Sequence, residues 1–482
     1  MKTCKITSIK AKIKIKAVLF LLFTILIPMI ISTPLFSLLL NNESIGNKDT
    51  NDELKEKLKV NAPLHANYFN YYKTITIDHN QVAGTSGLTN FPFLISIFDT
   101  DLRFDVQSDG DDIAFSSNNV WLDHEIELFD QTHNGTHAKL VVWVRIPVLS
   151  VTIDTVIRMY YGNSTMNSRQ NPTGVWSSNY EAVWHMNQDP SSSNILDSTS
   201  NNNDLTTTGF SSDTRFYDGK LGTAIAFDGI DDYLYISSFS GPTDGFTFET
   251  WFKFDAEYTV GGNHMYLFSG NTPLYSNNMP RVRFYNGSAI GSVATAVDNS
   301  DSCDGTKNIW AADTWFHYAF RFSVPIETTT LYLNGAVDGI KVDPDLSYPH
   351  SDWNRLSIAS DYGSRVWGSG AISEFRVLKT ALSSSWILTE SNNQNDPNSF
   401  YAVGSEQIVA WTPPNAQYFM YYKIITIDHN KVAGTTSHTN FPVLISLIDE
   451  NLRYHAQPDG DDIAFSIEGD WLDHEIELFD QS

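Results

Sequence analysis

Residues 68–131 read YFNYYKTITIDHNQVAGTSGLTNFPFLISIFDTDLRFDVQSDGDDIAFSSNNVWLDHEIELFDQ, and this stretch predicts an all-β fold. Thr74-Ile-Thr-Ile77 alternates in polarity, and Phe93-Leu-Ile-Ser-Ile97 is a short apolar run; both patterns are typical of strands. The segments Asp-His-Asn, Ala-Gly-Thr and Asp-Gly-Asp-Asp lie between such runs and are typical of turns. We expect two more strands, at residues 138–148 and 155–162.

The same stretch returns at residues 418–481 as YFMYYKIITIDHNKVAGTTSHTNFPVLISLIDENLRYHAQPDGDDIAFSIEGDWLDHEIELFDQ. Each position is shifted by 350 without a gap, and about two thirds of the residues are identical. Such a repeat indicates a duplicated module. The second copy reaches Ser482 before any counterpart of residues 138–148 and 155–162, so we expect that residues 418–482 do not fold independently.

Between the two copies, many short strand patterns alternate with turn signals, which favours a β-sandwich or jelly roll. A linker containing Pro413-Pro414 follows this block. We therefore predict a chain of successive segments: an apolar N-terminal segment (1–40), a polar spacer (41–66), a β-sandwich module (67–175), a jelly roll (176–407), a linker (408–417) and a truncated second copy of the module (418–482).

Several pieces of the central block resemble, in order, the laminin-G-like branch of the concanavalin A-like jelly rolls. They are Gly222-Thr-Ala-Ile-Ala-Phe-Asp-Gly-Ile-Asp-Asp-Tyr-Leu-Tyr-Ile236, Phe246-Thr-Phe-Glu-Thr-Trp-Phe-Lys-Phe254, Trp315-Phe-His-Tyr-Ala-Phe320, Thr330-Leu-Tyr-Leu-Asn-Gly335 and Ile372-Ser-Glu-Phe-Arg-Val-Leu-Lys-Thr-Ala-Leu-Ser383. The resemblance implies glycan or protein binding rather than a reaction. The family usually has an acid where Ser373 stands.

The flanking repeats resemble a domain family of unknown function found in prokaryotic surface proteins. The matching pieces are Tyr71-Tyr-Lys73, Asn90-Phe-Pro92, Leu102-Arg-Phe104, Asp111-Asp-Ile113, Val142-Trp-Val-Arg-Ile-Pro147 and Met159-Tyr-Tyr-Gly162. Together, the two resemblances imply a surface protein built from all-β modules.

The N-terminus carries a run of lysines before residue 17, followed by Ala17 to Leu40 without a charge. This length suits a hydrophobic membrane-spanning helix, and the lysines place its start in the cytoplasm. Two alternatives stay open: a single-pass signal anchor that holds the chain on the extracellular face of the membrane, or a signal peptide whose cleavage releases a secreted protein.

Composition excludes several partners and bonds. The formal net charge is −25, so the chain repels nucleic acid. The expected partners are glycans or other surface proteins, and the membrane through the N-terminal segment. The two cysteines are Cys4 and Cys303, and Cys4 lies in the lysine-rich leader, so no disulfide is expected.

The strand Asp123-His-Glu-Ile-Glu-Leu-Phe-Asp130 is the best candidate for catalysis, because Asp123, Glu125 and Glu127 share one face of a strand. Glucanases use paired carboxyl groups of this kind. The order of residue types differs from theirs, and a solvated strand face explains the acids without chemistry. We predict no catalytic residue and no enzyme. His185, beside Trp184, is interpreted as a residue at the edge of the core.

Two kinds of modification or metal site are predicted. The loop Asp197-Ser-Thr-Ser-Asn-Asn-Asn-Asp204 is rich in oxygen ligands, and the resemblance implies a calcium ion near it through Asp197 and Asp204. Asp109, Asp111 and Asp112 are interpreted as turn residues in preference to calcium ligands. Sequons for glycan attachment begin at Asn42, Asn134, Asn163 and Asn286.

The function expected from these observations is non-enzymatic. The sequence predicts an extracellular surface protein that binds carbohydrate or mediates adhesion through its jelly roll. The alternatives are a structural envelope or spacer protein without a small ligand, and an exported glycoside hydrolase.

Overall fold

The computed structural model describes residues 63, 66–216, 218–242, 245–259, 265–270, 280–292, 302–342, 355–360, 369–409, 419, 421–434, 438–467 and 470–480. The expected N-terminal helix and its anchor or signal role fall outside these residues. None of the helices in the described ranges is both long and apolar enough to cross a membrane.

The first module consists of two antiparallel sheets around one core. Its strands are β1 (Tyr71–Ile77), β2 (Leu88–Asp99), β3 (Ala114–Ser117), β4 (Val120–Leu122), β5 (His124–Asp130), β6 (Ala138–Leu149) and β7 (Thr155–Tyr161). Two short helices lie beside them: α1 (Asp101–Asp105) and α2 (Pro172–Val175). Strands β2, β6 and β5 form a three-stranded sheet, and β1, β7, β3 and β4 belong to a second sheet. Both strands expected at residues 138–148 and 155–162 are confirmed.

The second domain is a larger sandwich of an eight-stranded and a seven-stranded sheet. Its strands are β8 (Tyr180–Trp184), β9 (Thr206–Thr208), β10 (Arg215–Phe216), β11 (Ala224–Phe227), β12 (Tyr233–Ile236), β13 (Phe246–Phe254), β14 (Met265–Ser269), β15 (Arg281–Tyr285), β16 (Ser288–Ser292), β17 (Ser302–Asp304), β18 (Phe316–Ser323), β19 (Thr328–Leu333), β20 (Ala336–Val342), β21 (Leu356–Ile358) and β22 (Gly370–Leu378). The order β10-β11-β22-β13-β18-β19-β20, with β8 beside β22, defines the eight-stranded sheet. The order β17-β16-β15-β14-β21-β12-β9 defines the other.

Asn-Gly turns connect two pairs of neighbouring strands in this domain. Asn334 and Gly335 between β19 and β20 have φ of 49° and 78°. Asn286 and Gly287 between β15 and β16 have φ of 50° and 84°. Positive φ at both central residues gives the tight turn whose twist matches the strands it joins. Asn334-Gly335 and Asn286-Gly287 are therefore both hairpin turns.

The two domains stack as four β-layers. One face of the three-stranded sheet, with Val142 and Phe93, packs in the core of the first module. The other face, with Val141 and Trp143, packs against Trp251 of the eight-stranded sheet. This double burial explains the sequence AKLVVWVRIPVL of β6, which is apolar at successive positions because both of its faces are covered.

After β22 the chain returns to the first module. Helix α3 (Ser384–Asn395) and helix α4 (Pro397–Phe400) lead into β23 (Tyr401–Val403) and β24 (Gln407–Ile408), which both pair with β1. These strands complete the outer, six-stranded sheet, which runs β23-β1-β7-β3-β4 with β24 also beside β1. The first module therefore takes strands from both sides of the second domain in sequence.

The second copy of the module has the local structure of the first but not its packing. It contains α5 (Glu450–His455) and a two-stranded sheet of β25 (Phe465–Ile467) and β26 (Asp470–Leu472). Asp78 and Asp428 accept the same backbone hydrogen bond, from the residue two positions on. Yet Ile75 is fully buried, and its counterpart Ile425 is 45% exposed. Local turns thus form from short-range contacts, whereas burial depends on strands such as β6 and β7.

Candidate functional site

A cluster of charged side chains lies between the three-stranded sheet and the eight-stranded sheet. We call it the buried cluster; its members are Glu125, Glu127, His185, Glu249, Glu374, Arg376 and Glu390. They come from β5, the end of β8, β13, β22 and α3. None of them is more than 9% exposed.

The imidazole of His185 lies at the centre of three carboxyl groups. Its Nδ1 is 2.9 Å from Glu374 Oε2 and 3.7 Å from Glu127 Oε2, and its Nε2 is 3.2 Å from Glu125 Oε2. Burial alone would lower the pKa of His185, but the charges of Glu374 and Glu125 outweigh it and raise this pKa well above its ordinary value. His185 is therefore a buried cation, and the interpretation as a residue at the core edge is wrong.

Arg376 is the second cation of the buried cluster. Its Nε donates to Glu374 Oε1 at 2.8 Å, and its Nη1 pairs with Glu390. The guanidinium carbon lies 4.2 Å from the ring centre of Trp143 and 4.8 Å from that of Trp176. Stacking on aromatic rings suits the planar guanidinium, which is weakly hydrated.

Indole groups supply hydrogen bonds to the carboxylates of β5. Trp143 Nε1 donates to Glu127 Oε2 at 2.9 Å, and Trp176 Nε1 donates to Glu125 Oε2 at 2.6 Å. The hydroxyl of Ser198 donates to Glu125 Oε1 at 2.6 Å. Both acids of the strand are thus bonded to groups inside the protein.

The buried cluster contains more acidic than basic side chains. Protonation of some of its carboxyl groups reduces its net negative charge. Burial raises the pKa of Glu127 to about 7. Burial also raises the pKa of Glu249 and of Glu390. A protonated carboxyl group avoids the large cost of an unpaired buried charge. A proton on any of these three groups brings the charge of the buried cluster closer to balance.

The same side chains include a group that could hold a metal ion. Ligand atoms of Glu127, His185 and Glu374 all lie within 4.8 Å of one another. A metal here would have to replace the proton on His185 and would lie beside Arg376. The observed contacts fit a protonated imidazole, whose Nδ1 is hydrogen-bonded to Glu374 Oε2 at 2.9 Å and whose Nε2 lies at ion-pair distance from Glu125.

The acidic strand is not the solvated face that the sequence analysis expected. Glu125 and Glu127 are sealed under the second domain, and Asp123 pairs with Arg145 and accepts from Asn171 Nδ2 at 2.8 Å. The prediction failed because a covering domain is a tertiary feature. The alternation in Glu374-Phe-Arg376 could have indicated a buried ion pair, since an acid and a base two positions apart share one face of a strand.

The predicted calcium residues lie in a loop that is closed by its own hydrogen bonds. Asp197 accepts from the backbone N–H groups of Val183, Thr199 and Asn203 and from the Thr199 hydroxyl. Asp204 Oδ1 accepts from the backbone N–H of Asp197 at 2.9 Å. These bonds give both acids a role in shaping the loop; calcium binding by them stays a prediction.

Asp112 has the turn role that the sequence indicated. Its carboxylate is buried and accepts from the backbone N–H groups of Gln107, Gly162 and Asn163. Asp109 Oδ1 accepts from Asp111 N at 3.2 Å. Burial raises the pKa of Asp112, although its backbone partners oppose this. Asp112 therefore ties the turn to the end of β7.

The sequon residues differ in their surroundings. Asn134 is in an exposed turn, where its Oδ1 accepts from Thr136 and His137, and Asn286 is in the exposed turn before β16. Asn163 Nδ2, the atom that would carry a glycan, donates to Tyr68 O at 2.6 Å. Asn42 lies outside the described residues. Glycan attachment at these four positions stays a prediction.

Two other residues singled out from the sequence are buried. Ser373 donates its hydroxyl to Thr223 O at 2.9 Å and accepts from Leu221 N at 3.2 Å. Cys303 is buried and free, and burial raises the pKa of its thiol to about 12. Neither residue is available to a ligand.

An open recess lies in the first module, where β4 meets β5. It has a volume of about 360 Å³ and is lined by Ala114, Trp121, Leu122, Asp123, His124, Ser168 and Arg169. Strand β4 supplies Trp121 and Leu122, β5 begins with His124, and Asp123 lies between these two strands. The segment after β7 supplies Ser168 and Arg169. No sequence pattern marks this site, because residues near 121 and 169 meet only in the folded module.

Two family models match the chain. Residues 228–388 match the Concanavalin A-like lectin/glucanases superfamily. Residues 109–208 match a domain of unknown function, DUF2341. The second of these matches begins in the first module, runs on through β8 and β9 of the second domain, and does not reach residues 418–482. The chain thus contains a concanavalin A-like domain next to a domain of the unknown-function family, as the sequence resemblance predicted.

Solved structures share only part of the chain. A botulinum neurotoxin serotype D binding domain has 12% identity and a TM-score of 0.35, with 46% of this chain and 53% of that chain covered. The binding domain of Paraclostridial Mosquitocidal Protein 1 has 13% identity and a TM-score of 0.34, with coverage of 45% and 52%. The chain spans about half the length of these structures. No curated protein matches the chain.

Proposed function

We propose that this chain is a non-catalytic, glycan-binding protein of the cell surface. The superfamily matched by residues 228–388 is described by two activities, those of lectins and of glucanases. Hydrolysis of a glycoside needs a pair of carboxyl groups that a sugar can reach. The position of the acids between the two domains supports binding over hydrolysis.

The observation that carries this proposal is the burial of the acidic side chains on the eight-stranded sheet. Glu249 and Glu374 are each 2% exposed, and Glu390 is fully buried. Their sheet face is covered by the three-stranded sheet of the first module, with Trp143 packed among them. A polysaccharide could reach these carboxyl groups only if the two domains separated.

The surface location rests on the sequence. The apolar segment Ala17–Leu40 follows a lysine-rich start, and the chain after it is strongly acidic. An anchor would display the binding domains on the extracellular face, and cleavage would release them. Other surface proteins are the second class of partner that such a display allows.

A glycan array probed with the full chain tests the proposal, together with an assay for new reducing ends on each glycan that binds. We expect binding to a subset of glycans and no reducing ends above a blank without protein. Release of reducing ends in proportion to protein concentration would contradict the non-catalytic part. A blank array would contradict the binding part.

The second candidate function is that of a structural spacer. The observation in its favour is the shared core of Trp143, Trp176 and Trp251, which joins both domains into one stack. A rigid stack of this kind can hold other domains apart without binding any small ligand. A blank array, with the stack intact, is the result that would favour this function.

A further inference from the structure

The recess of the first module has the size and the mixed lining of a ligand site. Its volume of about 360 Å³ falls in the range of small-molecule sites, about 300–1,000 Å³. The indole of Trp121 forms an apolar wall, and Ser168, Asp123 and Arg169 add polar groups. A few polar groups beside an aromatic surface are the usual means of holding a sugar in one orientation.

The charge of the recess is positive although the chain is acidic. Within the described ranges, no carboxylate lies at ion-pair distance from Arg169, whose guanidinium carbon is 4.5 Å from the ring centre of Trp121. The acid in the lining, Asp123, is neutralised by Arg145. The guanidinium of Arg169 is therefore left to attract an anion.

A second arginine repeats this arrangement on the same sheet. Arg158 of β7 lies 4.8 Å from the ring centre of Tyr72, and it too has no acidic partner among the residues that the structure describes. Ser116 connects the two sites, because its Cα pairs with Arg158 on one side and with Trp121 on the other. The outer face of the six-stranded sheet thus carries two guanidinium groups, each held by an aromatic ring.

The floor of the recess carries a buried polar atom. His124 is 1% exposed, and in the described part of the chain its Nε2 meets no hydrogen-bond partner. Burial lowers the pKa of this imidazole to about 4, so it is neutral at physiological pH. A neutral imidazole can exchange a hydrogen bond with a sugar hydroxyl.

We propose that this recess binds the carboxylate-bearing residue of an acidic glycan. Arg169 pairs with the sugar carboxylate, for which the guanidinium fork is well shaped. His124 Nε2 and the Ser168 hydroxyl bond to ring hydroxyl groups, and Trp121 contacts the apolar part of the sugar. This inference rests on the proposed glycan-binding function and places it in the first module.

The test compares two forms of the same ligand on the full chain. Oligomers of glucuronic acid and of galacturonic acid are titrated by calorimetry, each as the free acid and as its methyl ester. Losing a hydrogen bond to a charged group costs about tenfold or more in affinity. We expect the free acid of at least one oligomer to bind at least tenfold more tightly than its ester.

Variants assign that difference to the recess. Arg169→Ala should abolish the preference for the free acid, and Arg169→Lys should restore part of it. Arg103→Ala is the matched control: this arginine belongs to the same module and lies 5.6 Å from the ring centre of Phe104, outside the recess. The control should bind as the unchanged chain does. Melting curves of all variants establish that they are folded, and Arg169→Gln, which also removes the charge, replaces Arg169→Ala if the latter is not.

Three results would overturn the inference: equal binding of acid and ester, no binding of either form, or equal affinities for Arg169→Ala and Arg103→Ala. If any of these occurs while the array shows glycans bound, the inference alone is wrong and the proposed function stands. If the array is also blank, the proposed function falls as well.

Discussion

Glu127 shows how one buried carboxyl group can make stability depend on pH. It is enclosed by His185, Glu374 and Trp143, and burial raises its pKa to about 7 from 4.5. The folded chain therefore holds this proton up to a higher pH than the unfolded chain does. The associated stability is fully present below pH 4.5 and is lost as the pH rises through about 7.

The variant Glu127→Gln isolates this effect, because glutamine mimics the neutral acid at every pH. We expect the free energy of unfolding of the native chain, relative to that of the variant, to fall by about 3 kcal/mol between pH 4.5 and 8. Taking the difference cancels titrating groups that do not contact Glu127, such as the buried His124. Chemical denaturation at several pH values measures it.

Glu257→Gln is the control for this prediction, because Glu257 is exposed. Its difference from the native chain should stay constant across the same pH range. A constant difference for Glu127→Gln as well would mean that Glu127 is ionised in the folded protein throughout, and that the proposed charge balance of the buried cluster is wrong.

At the scale of elements, α3 protects an open strand edge. Strand β2 pairs with β6 on one side only. On its other side, Asn393 Oδ1 accepts from Leu94 N at 2.9 Å and Asn393 Nδ2 donates to Leu94 O at 3.1 Å. The Tyr401 hydroxyl makes the same two contacts with Ser96, at 2.8 and 3.0 Å. These side chains imitate a neighbouring strand and satisfy the edge.

Replacing Asn393 with alanine should destabilise the protein by about 2–5 kcal/mol, because two buried backbone groups lose their partners. Asn392→Ala is the matched control, since it removes the same residue type from the same helix at an exposed position. Its effect should stay within about 0.5 kcal/mol. Similar effects for the two variants in denaturant titrations would show that α3 does not protect β2.

The two copies of the repeat provide an internal comparison. In the first copy, β1 is paired with β7 on one side and with β23 and β24 on the other. Among the described residues of the second copy, 423–427 form no strand, and Ile425 and Ile427 are 45% and 57% exposed. We expect the amides of residues 73–77 to exchange with deuterium far more slowly than those of residues 423–427.

The two segments have nearly the same sequence. Their local strand propensities are therefore nearly equal, and their exchange rates can be compared directly. Exchange measured by mass spectrometry on the full chain gives both rates in one experiment. Equal protection of the two segments would mean that the second copy pairs with partner strands in solution. Its apolar residues would then be buried there.

At the scale of the whole molecule, the four layers should unfold together. Trp143 of the first module packs with Trp251 of the second domain. The Nε1 of Trp143 also donates a hydrogen bond to Glu127. Trp143→Ala should cost about 3–5 kcal/mol and should speed exchange in both β2 and β13. Val148→Ala, on the same strand but 57% exposed, should leave both unchanged. Faster exchange in β2 alone would show two independent domains.

The elements were predictable from the sequence, but their stacking was not. The strands of the module, the Asn334-Gly335 hairpin and the concanavalin A-like domain follow from short-range patterns. The contact between the domains joins Glu127 to Glu374 and Trp143 to Arg376, which are far apart in the chain and could each sit on a solvated strand. The apolar faces of β6 were the strongest hint, since a strand buried on both faces needs a layer on each side.

The most direct test of the account is to incubate the full chain with acidic oligosaccharides of defined length, and to measure the bound fraction and the recovered lengths by mass spectrometry. Carboxylate-bearing oligosaccharides should be retained and recovered at their original length. Failure to retain any of them, or recovery of shortened products, would contradict binding without hydrolysis.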